Sequence, residues 1–349
     1  MIQNRTKKEV VKLSLNELWF LLIAVLFIGF FVLEGFDFGV GTVAKFLGRN
    51  DTERRVYINT IGPFWDANEV WLITAGGAMF AAFPHWYATM FSGFYIPLVL
   101  MLLALILRGV SFEFRGKIDN PKWRNTWDWA LFIGSALPPI LWGVVLANFM
   151  TGMPIDSDKE MVGGFIQFLH PFALLGGAMF FMLFVVHGLQ FITLRTTGEL
   201  QERARKLAKK LAPLTLLIVL AFAFFGWLKT DIFTYHGNGW IILPILAWVA
   251  LLTASVLNVK GLDRKAFFFT SATIILFTAS VFIGMFPRVM ISSIADANSL
   301  TIYSAASGSY TLKVMTYATF ILLPFVLAYQ GWSYYIFRER IKSKDELEY

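Results

Sequence analysis

Long apolar runs, separated by short polar segments, follow one another along almost the whole chain. FSGFYIPLVLMLLALIL is one such run, and AFFFTSATIILFTASVFIGMF is another. A helix that crosses a bilayer needs about 20 mostly apolar residues, because each residue adds about 1.5 Å against a hydrocarbon core of about 30 Å. The pattern predicts about nine spanning helices, at approximately 16–43, 56–83, 86–112, 126–150, 162–193, 211–229, 239–259, 266–287 and 313–337.

The composition agrees with an all-α membrane protein. Of the 349 residues, 57% are hydrophobic and only 15% are charged, whereas a soluble domain carries about 25% charged residues. The predicted organisation is a basic N-terminal tail at 1–15, a transmembrane domain at 16–337 and a cytoplasmic C-terminal tail at 338–349. The chain has no cysteine, which excludes disulfides, iron–sulfur clusters, thiolate-ligated haem and a cysteine nucleophile.

The net charge of +7 does not indicate a nucleic-acid partner, because the basic residues lie in short loops between the apolar runs. Most of the 30 lysines and arginines fall after the first, third, fifth and seventh runs and in the C-terminal tail. Cytoplasmic loops carry an excess of Lys and Arg. The pattern therefore predicts the N-terminus outside and the C-terminus in the cytoplasm, although the basic tail NRTKKEVVK opposes that bias.

Two pairs of carboxylates interrupt the apolar pattern. LEGFDFGVG carries Glu34 and Asp37 in the first predicted span, and WDANEVW carries Asp66 and Glu69 in the second. Each pair is three residues apart and so shares one helix face. A carboxylate in the middle of a bilayer costs about 2.5–3.5 kcal/mol, so such residues are candidates for function.

The pattern favours a chain of proton-carrying groups that starts at the cytoplasm. A short inner loop joins the first two spans, so all four acids should lie in the cytoplasmic half. Asp66 lies about ten residues past that loop, roughly 15 Å along a continuous helix, and is expected to lie deepest. The alternative is that the acids pair with Arg54, Arg55, Arg108 or Arg115 and fix helix packing.

The four histidines do not predict a metal site. His170 and His187 lie in the fifth predicted span, too far apart for one pair of ligands on a helix face, and His85 and His236 lie in outer loops. No H-x-x-x-H or E-x-x-H motif is present, so neither a zinc site nor a di-iron site is indicated. A single axial haem histidine is left open by the sequence.

The order of motifs resembles subunit II of cytochrome bd quinol oxidases. GFDFGVG, FLGRNDTERR, INTIGPFWDANEVWLITAGGAMFAAFP and LRGVSFEFRGK carry the resemblance in the first half of the chain. WRNTWDWALFIGS, TLRTTGELQERAR, FPRVMISS and SGSYTLKVMT carry it in the second. Ala67 stands where the family often has glycine in its W-D-G-N motif, and the basic N-terminal extension is a second departure.

The resemblance implies two four-helix bundles plus one peripheral helix, and a heterodimer with subunit I in a bacterial cytoplasmic membrane. Haem b and haem d are then expected on subunit I. The complex is expected to oxidise quinol outside and to reduce O₂ to water at haem d with protons from inside. A small single-helix accessory subunit and a quinone or lipid bound to this chain are left open. Asp66 matches the family's proton-route aspartate, and Tyr349 matches a C-terminal tyrosine linked to that route.

Two alternatives to a proton path remain at this point. The chain could be a purely structural partner that stabilises subunit I and its haems. It could also be an ion-coupled secondary transporter that uses Asp66 and Glu69, but such transporters usually contain inverted repeats with broken helices, and the sequence has no visible internal symmetry.

Overall fold

The computed structural model describes residues 13–341, and α-helices make up most of them. Two short antiparallel strands, β1 (Arg288–Met290) and β2 (Leu300–Thr301), lie in the connection before the last helix. The helices are α1 (Leu15–Leu47), α2 (Asp51–Asn59), α3 (Trp65–Ala82), α4 (Pro84–Gly93), α5 (Tyr95–Phe114), α6 (Pro121–Thr151), α7 (Pro171–Arg195), α8 (Gly198–Lys229), α9 (Ile242–Val259), α10 (Asp263–Met285) and α11 (Ser309–Ile336).

Within residues 13–341, eight helices are long and apolar enough to cross a membrane: α1 and all of α5 to α11. The ninth predicted span corresponds to α3, which has 18 residues and extends for about 27 Å. The fold class predicted from the sequence, an all-α membrane protein, is therefore confirmed. The count of nine spans and their grouping into two bundles stay predictions.

The second predicted span is broken, which corrects the expected depth of Asp66. The chain forms α2, leaves the helix at residues 60–64 and starts again as α3 at Trp65. Pro63 lies in this break; it lacks a backbone N–H and disfavours helical geometry at the residue before it. Asp66 therefore lies in the first turn of α3. The prediction that it lies about 15 Å along a continuous helix is wrong.

Helices α1, α6 and α7 pack against one another at the centre, and α3, α5, α8 and α10 lie around them. The centre is rich in aromatic rings, with Phe27, Phe30 and Phe31 arranged edge-to-face around Trp142 at centroid distances of 5.6–6.0 Å. Helix α11 touches α1 and α3, but only 6% of its most apolar segment is buried. It is a peripheral helix of this chain.

Glycines allow α1 and α7 to cross at backbone contact. A Cβ atom added at Gly39 would lie 2.0 Å from the carbonyl oxygen of Phe184 and 2.8 Å from the Cα of Gly188. Small residues permit such approaches inside a membrane, where water exclusion cannot drive helix association. The GFDFGVG motif therefore contributes to the packing of the site that follows.

Replacing Gly39 by alanine is expected to lower the thermal stability of the purified complex. The added methyl group meets rigid backbone, and overpacking of this kind costs about 1–3 kcal/mol. Gly331→Ala in α11 is the matched control, because Gly331 is exposed and a Cβ there meets nothing within 4 Å. Equal melting temperatures for the two variants would contradict the expectation.

Ion pairs concentrate on the face of the molecule where α1, α5, α7, α9 and α11 end, which we call the basic face. Asp128 is buried there between Arg54, at 3.0 Å, and Arg115, at 2.7 Å. These two contacts tie α6 to α2 and to the end of α5. A hydrogen bond from Arg203 lowers the pKa of Glu53 in α2 below its ordinary value, so this carboxylate is ionised at neutral pH and ties α2 to α8.

Candidate functional site

Glu34 and Asp37 lie in the interior of α1 and are both completely buried. They are one helical turn apart and face the same neighbours, α3 and α5. Glu34 lies about 20 Å before the C-terminal end of α1 at Leu47. These two acids, rather than Asp66, are the deepest of the four.

Arg108 of α5 is the cation of this cluster. Its guanidinium is fully buried, pairs with Glu34 and lies 3.7 Å from the Glu69 carboxylate. The ring of Phe38 lies 4.9 Å from the guanidinium carbon. The packing alternative is thus partly confirmed, because Glu34 does pair with Arg108.

Asn68 connects the cluster to α11. Its side-chain amide donates a hydrogen bond of 2.7 Å to Asp37, and its carbonyl oxygen accepts one of 2.8 Å from the Tyr334 hydroxyl. Gln330 lies beside it and accepts a 2.9 Å hydrogen bond from the indole of Trp71. No sequence pattern pointed to Tyr334 or Gln330, because more than 250 residues separate them from their partners.

Asp66 is exposed on the surface of the chain, and no hydrogen bond or ion pair joins its side chain to another of residues 13–341. Arg108 and Glu113 are its charged neighbours. Glu69, one turn further along α3, keeps 22% of its side-chain area exposed. The acids thus run from the surface inward as Asp66, then Glu69, then the buried pair Glu34 and Asp37.

Several atoms of this acid cluster have no hydrogen-bond partner among residues 13–341 although they are buried. They are Glu34 Oε2, Asp37 Oδ1, Glu69 Oε1 and Arg108 Nε and Nη2. Buried polar atoms are usually paired, and exceptions occur at functional sites. Three carboxyl groups here share one guanidinium, and a set with more carboxyls than cations can take up and release protons.

The remaining sequence-based assignments have mixed outcomes. Arg54 and Arg115 pair with Asp128 and not with the candidate acids. Tyr349 lies outside the described residues, so its role stays a prediction.

The two histidines predicted to lie within the membrane, His187 and His170, do not fit the role of a haem ligand. His187 is fully buried, but both ring nitrogens are engaged, one with Thr270 at 2.8 Å and one with the Val32 carbonyl at 3.0 Å. His170 caps α7, because its Nδ1 accepts a 3.2 Å hydrogen bond from the backbone N–H of Ala173. Residues 13–341 also contain no group of three or more His, Asp or Glu that could hold a metal ion.

A family model described as cytochrome bd terminal oxidase subunit II matches residues 15–337. The chain belongs to this family. It is therefore one subunit of a membrane-bound terminal oxidase complex of a bacterial respiratory chain, as the resemblance predicted. Membership of the family implies haem in that complex.

Relatives across most of the chain agree with this assignment. The cytochrome bd ubiquinol oxidase subunit 2 of Bacillus subtilis (strain 168) is 52% identical, over 96% of this chain and 99% of its own length. The cytochrome bd-I ubiquinol oxidase subunit 2 of Escherichia coli (strain K12) is 40% identical, over 95% of this chain and 96% of its own length. These values establish the family for nearly the full length of the chain.

The fold also matches a solved structure, entitled the structure of bd oxidase from Geobacillus thermodenitrificans. The TM-score is 0.72, with 90% of this chain and 96% of that chain covered. Sequence identity in that comparison is 17%, so it supports the helical membrane fold alone.

Proposed function

We propose that this subunit II pairs with a haem-bearing subunit I, in a quinol:O₂ oxidoreductase, and supplies part of the proton path to the O₂-reducing haem d of that partner. The haems are assigned to subunit I in this proposal, which the engaged ring nitrogens of His187 and the helix-capping position of His170 support. Asp66 receives protons at the subunit boundary, and Glu69 with the buried pair Glu34 and Asp37 extends the path. The single observation that supports this most is the stepwise decrease in exposure from Asp66 to Glu34.

The exposed position of Asp66 supports a partner on this face. Ile73 and Phe80 of α3 and Leu103 of α5 are also exposed, at 57–72%, so the carboxylate lies at the edge of an apolar surface. A charged group that faces lipid is costly, and intramembrane acids usually face another protein element or a water-filled cavity. A second chain over α3 and α5 would supply that cover.

The direction of the path follows from the charge distribution. The basic face carries most of the lysines and arginines and is assigned to the cytoplasm by the positive-inside rule, with the N-terminus outside. Asp66 lies in the first turn of α3, near that face. Protons would therefore enter from the cytoplasm, while quinol is oxidised on the opposite side, so a proton-motive force arises without pumping.

Single cysteines can test the proposed interface, because the native chain contains none. Ile73→Cys on α3 should be protected from a membrane-permeant maleimide in the assembled complex. Leu217→Cys on α8, where leucine is 62% exposed in this chain against 72% for Ile73, should react readily. We expect at least about tenfold slower labelling at position 73, because a packed interface excludes the reagent.

Equal labelling at the two positions would contradict pairing through α3. Haem spectra of both variants should match those of the native complex, since neither residue belongs to the acid cluster. The experiment tests the partner surface separately from the proton path, which depends on Asp66 itself.

A purely structural role is the second candidate for part of the cluster. The buried ion pair of Glu34 with Arg108 links α1 to α5, and such a pair fixes packing whether or not protons pass it. Substitution of Asp66 separates the two roles, because Asp66 has no partner among the described residues. Membership of an oxidase family removes the reason to consider a transporter.

A further inference from the structure

A second concentration of charge lies on the basic face, apart from the acid cluster. Four arginines, Arg195, Arg264, Arg338 and Arg340, line a cavity of about 430 Å³ between the ends of α7, α10 and α11 and the middle of α1. We call this cavity the arginine pocket. No carboxylate is among its lining residues within 13–341.

Arg195 is the innermost of the four. Arg195 is only 7% exposed. Its Nε and Nη1 atoms are buried and have no hydrogen-bond partner among the described residues. The guanidinium carbon lies 5.5 Å from the centre of the Phe64 ring. A buried guanidinium without an acceptor is costly, and an anion in the pocket would supply the missing acceptors.

Other arginines of the basic face are already neutralised, which sets this group apart. Arg203 pairs with Glu53 at 2.7 Å, and Arg205 pairs with Asp263 at 2.9 Å. Asp263 directly precedes Arg264, but its carboxylate pairs with Arg205 of α8 and not with Arg264. Glu339, which lies between Arg338 and Arg340, is exposed and forms no ion pair with the four arginines within residues 13–341. The adjacent acids therefore do not neutralise the arginine pocket.

The walls of the pocket are apolar and aromatic. Phe36 stacks on Phe191 at 4.0 Å, and Phe64 stacks on Tyr334 at 4.5 Å. The backbone N–H of Ile341 donates a 2.7 Å hydrogen bond to the Arg195 carbonyl. This bond holds the segment that carries Arg338 and Arg340 across the end of α7.

We propose that the arginine pocket binds the phosphate headgroup of an anionic phospholipid. Guanidinium groups form strong, charge-assisted hydrogen bonds with phosphate. Basic pockets between membrane helices on the cytoplasmic side bind anionic headgroups, and the anionic lipids of that leaflet are attracted to clustered Lys and Arg. The apolar walls, with Ile336 and Phe337 exposed beside the cavity, suit acyl chains better than a free phosphate ion.

The pocket also borders the acid cluster, because Tyr334 belongs to both. Its ring lines the cavity, and its hydroxyl donates to Asn68, which in turn donates to Asp37. A lipid in the pocket would hold the end of α11 and, through Tyr334, the hydrogen bond to Asn68. The inference does not depend on the proposed proton path.

Native mass spectrometry of the purified complex can measure the retention of added phosphatidylglycerol against phosphatidylcholine. The main variant combines Arg264→Gln, Arg338→Gln and Arg340→Gln, all at exposed positions, and Arg195→Gln tests the inner guanidinium separately. The control is Lys206→Gln, Lys209→Gln and Lys210→Gln, which removes three charges from exposed positions of α8 on the same face. Clustered basic residues attract anionic headgroups, so removal of three of them should lower retention by at least about tenfold in the main variant.

Selective retention of phosphatidylglycerol by the native complex and the control, with loss in both pocket variants, would support the proposal. Equal retention in the pocket variants and the control would overturn it. Displacement of phosphatidylglycerol by millimolar inorganic phosphate would assign the pocket to a soluble anion and overturn the lipid assignment. Retention that arises only after deletion of residues 342–349, whose sequence KSKDELEY is partly acidic, would likewise overturn it in favour of the chain's own tail.

Discussion

Replacing Asp66 by asparagine is expected to lower oxygen consumption of the complex by about 100-fold while the haem absorption bands are retained. The amide keeps the size of the side chain but cannot pass a proton, and proton transfer by a positioned group contributes typically 10²–10⁴-fold to a rate. Asp66 has no hydrogen-bond or ion-pair partner among the described residues, so little packing is lost. Quinol-driven oxygen uptake and a redox difference spectrum measure the two effects on the same sample.

Two further substitutions make this result interpretable. Asp66→Glu keeps a carboxyl group in the first turn of α3 and should restore a large part of the rate. Asp119→Asn removes a carboxylate that is 94% exposed on the basic face and should leave the rate unchanged. Normal oxygen uptake by Asp66→Asn at normal haem content would exclude the relay role, and loss of haem in that variant would favour the structural one.

Replacing Arg108 by methionine is expected to destabilise the complex strongly. Methionine replaces the apolar stem of the arginine side chain, but it leaves the buried carboxyl of Glu34 without its cation. Breaking a buried pair by removal of one partner costs about 3–5 kcal/mol, a large part of the net stability of a typical domain. The melting temperature of the purified complex and the yield of haem-containing complex are the measurements.

The double variant Arg108→Met with Glu34→Gln should recover a substantial part of the lost stability. Replacing both members of a buried ion pair is often close to neutral, in contrast to replacing one. Asp37 and Glu69 remain in the double variant, so recovery should be incomplete. An Arg108→Met complex as stable as the native one, or no recovery in the double variant, would show that this pair does not hold α1 against α5.

The hydrophobic pattern predicted the long helices well because that signal is local. Helices α6, α9 and α10 lie close to their predicted limits, since a run of about 20 apolar residues can satisfy its backbone in a bilayer only as a helix. The predicted helix limits were wrong for the second span and for the start of α8. The break before α3, at residues 60–64, joins two segments that hydropathy had merged, and α8 begins well before its apolar part because a charged segment continues the same helix.

The candidate acids could be found from sequence, but their order of depth could not. The cost of an ionisable group in an apolar run is a property of that run alone, and it pointed to Glu34, Asp37, Asp66 and Glu69. Depth depends on which helix covers which face. Arg108 comes from α5 and Tyr334 from α11, and only packing brings them to Asp37 and Asn68.

By itself, the amino-acid sequence determined that this is a helical membrane protein, which family it belongs to and which acids have unusual surroundings, because each of these depends on the identity and order of neighbouring residues. Only the tertiary structure decided that Asp66 lies exposed on the surface of the chain, that Glu34 is paired with Arg108, and that four arginines surround one cavity. Those facts depend on distances between residues far apart in the chain, which are set when the helices pack.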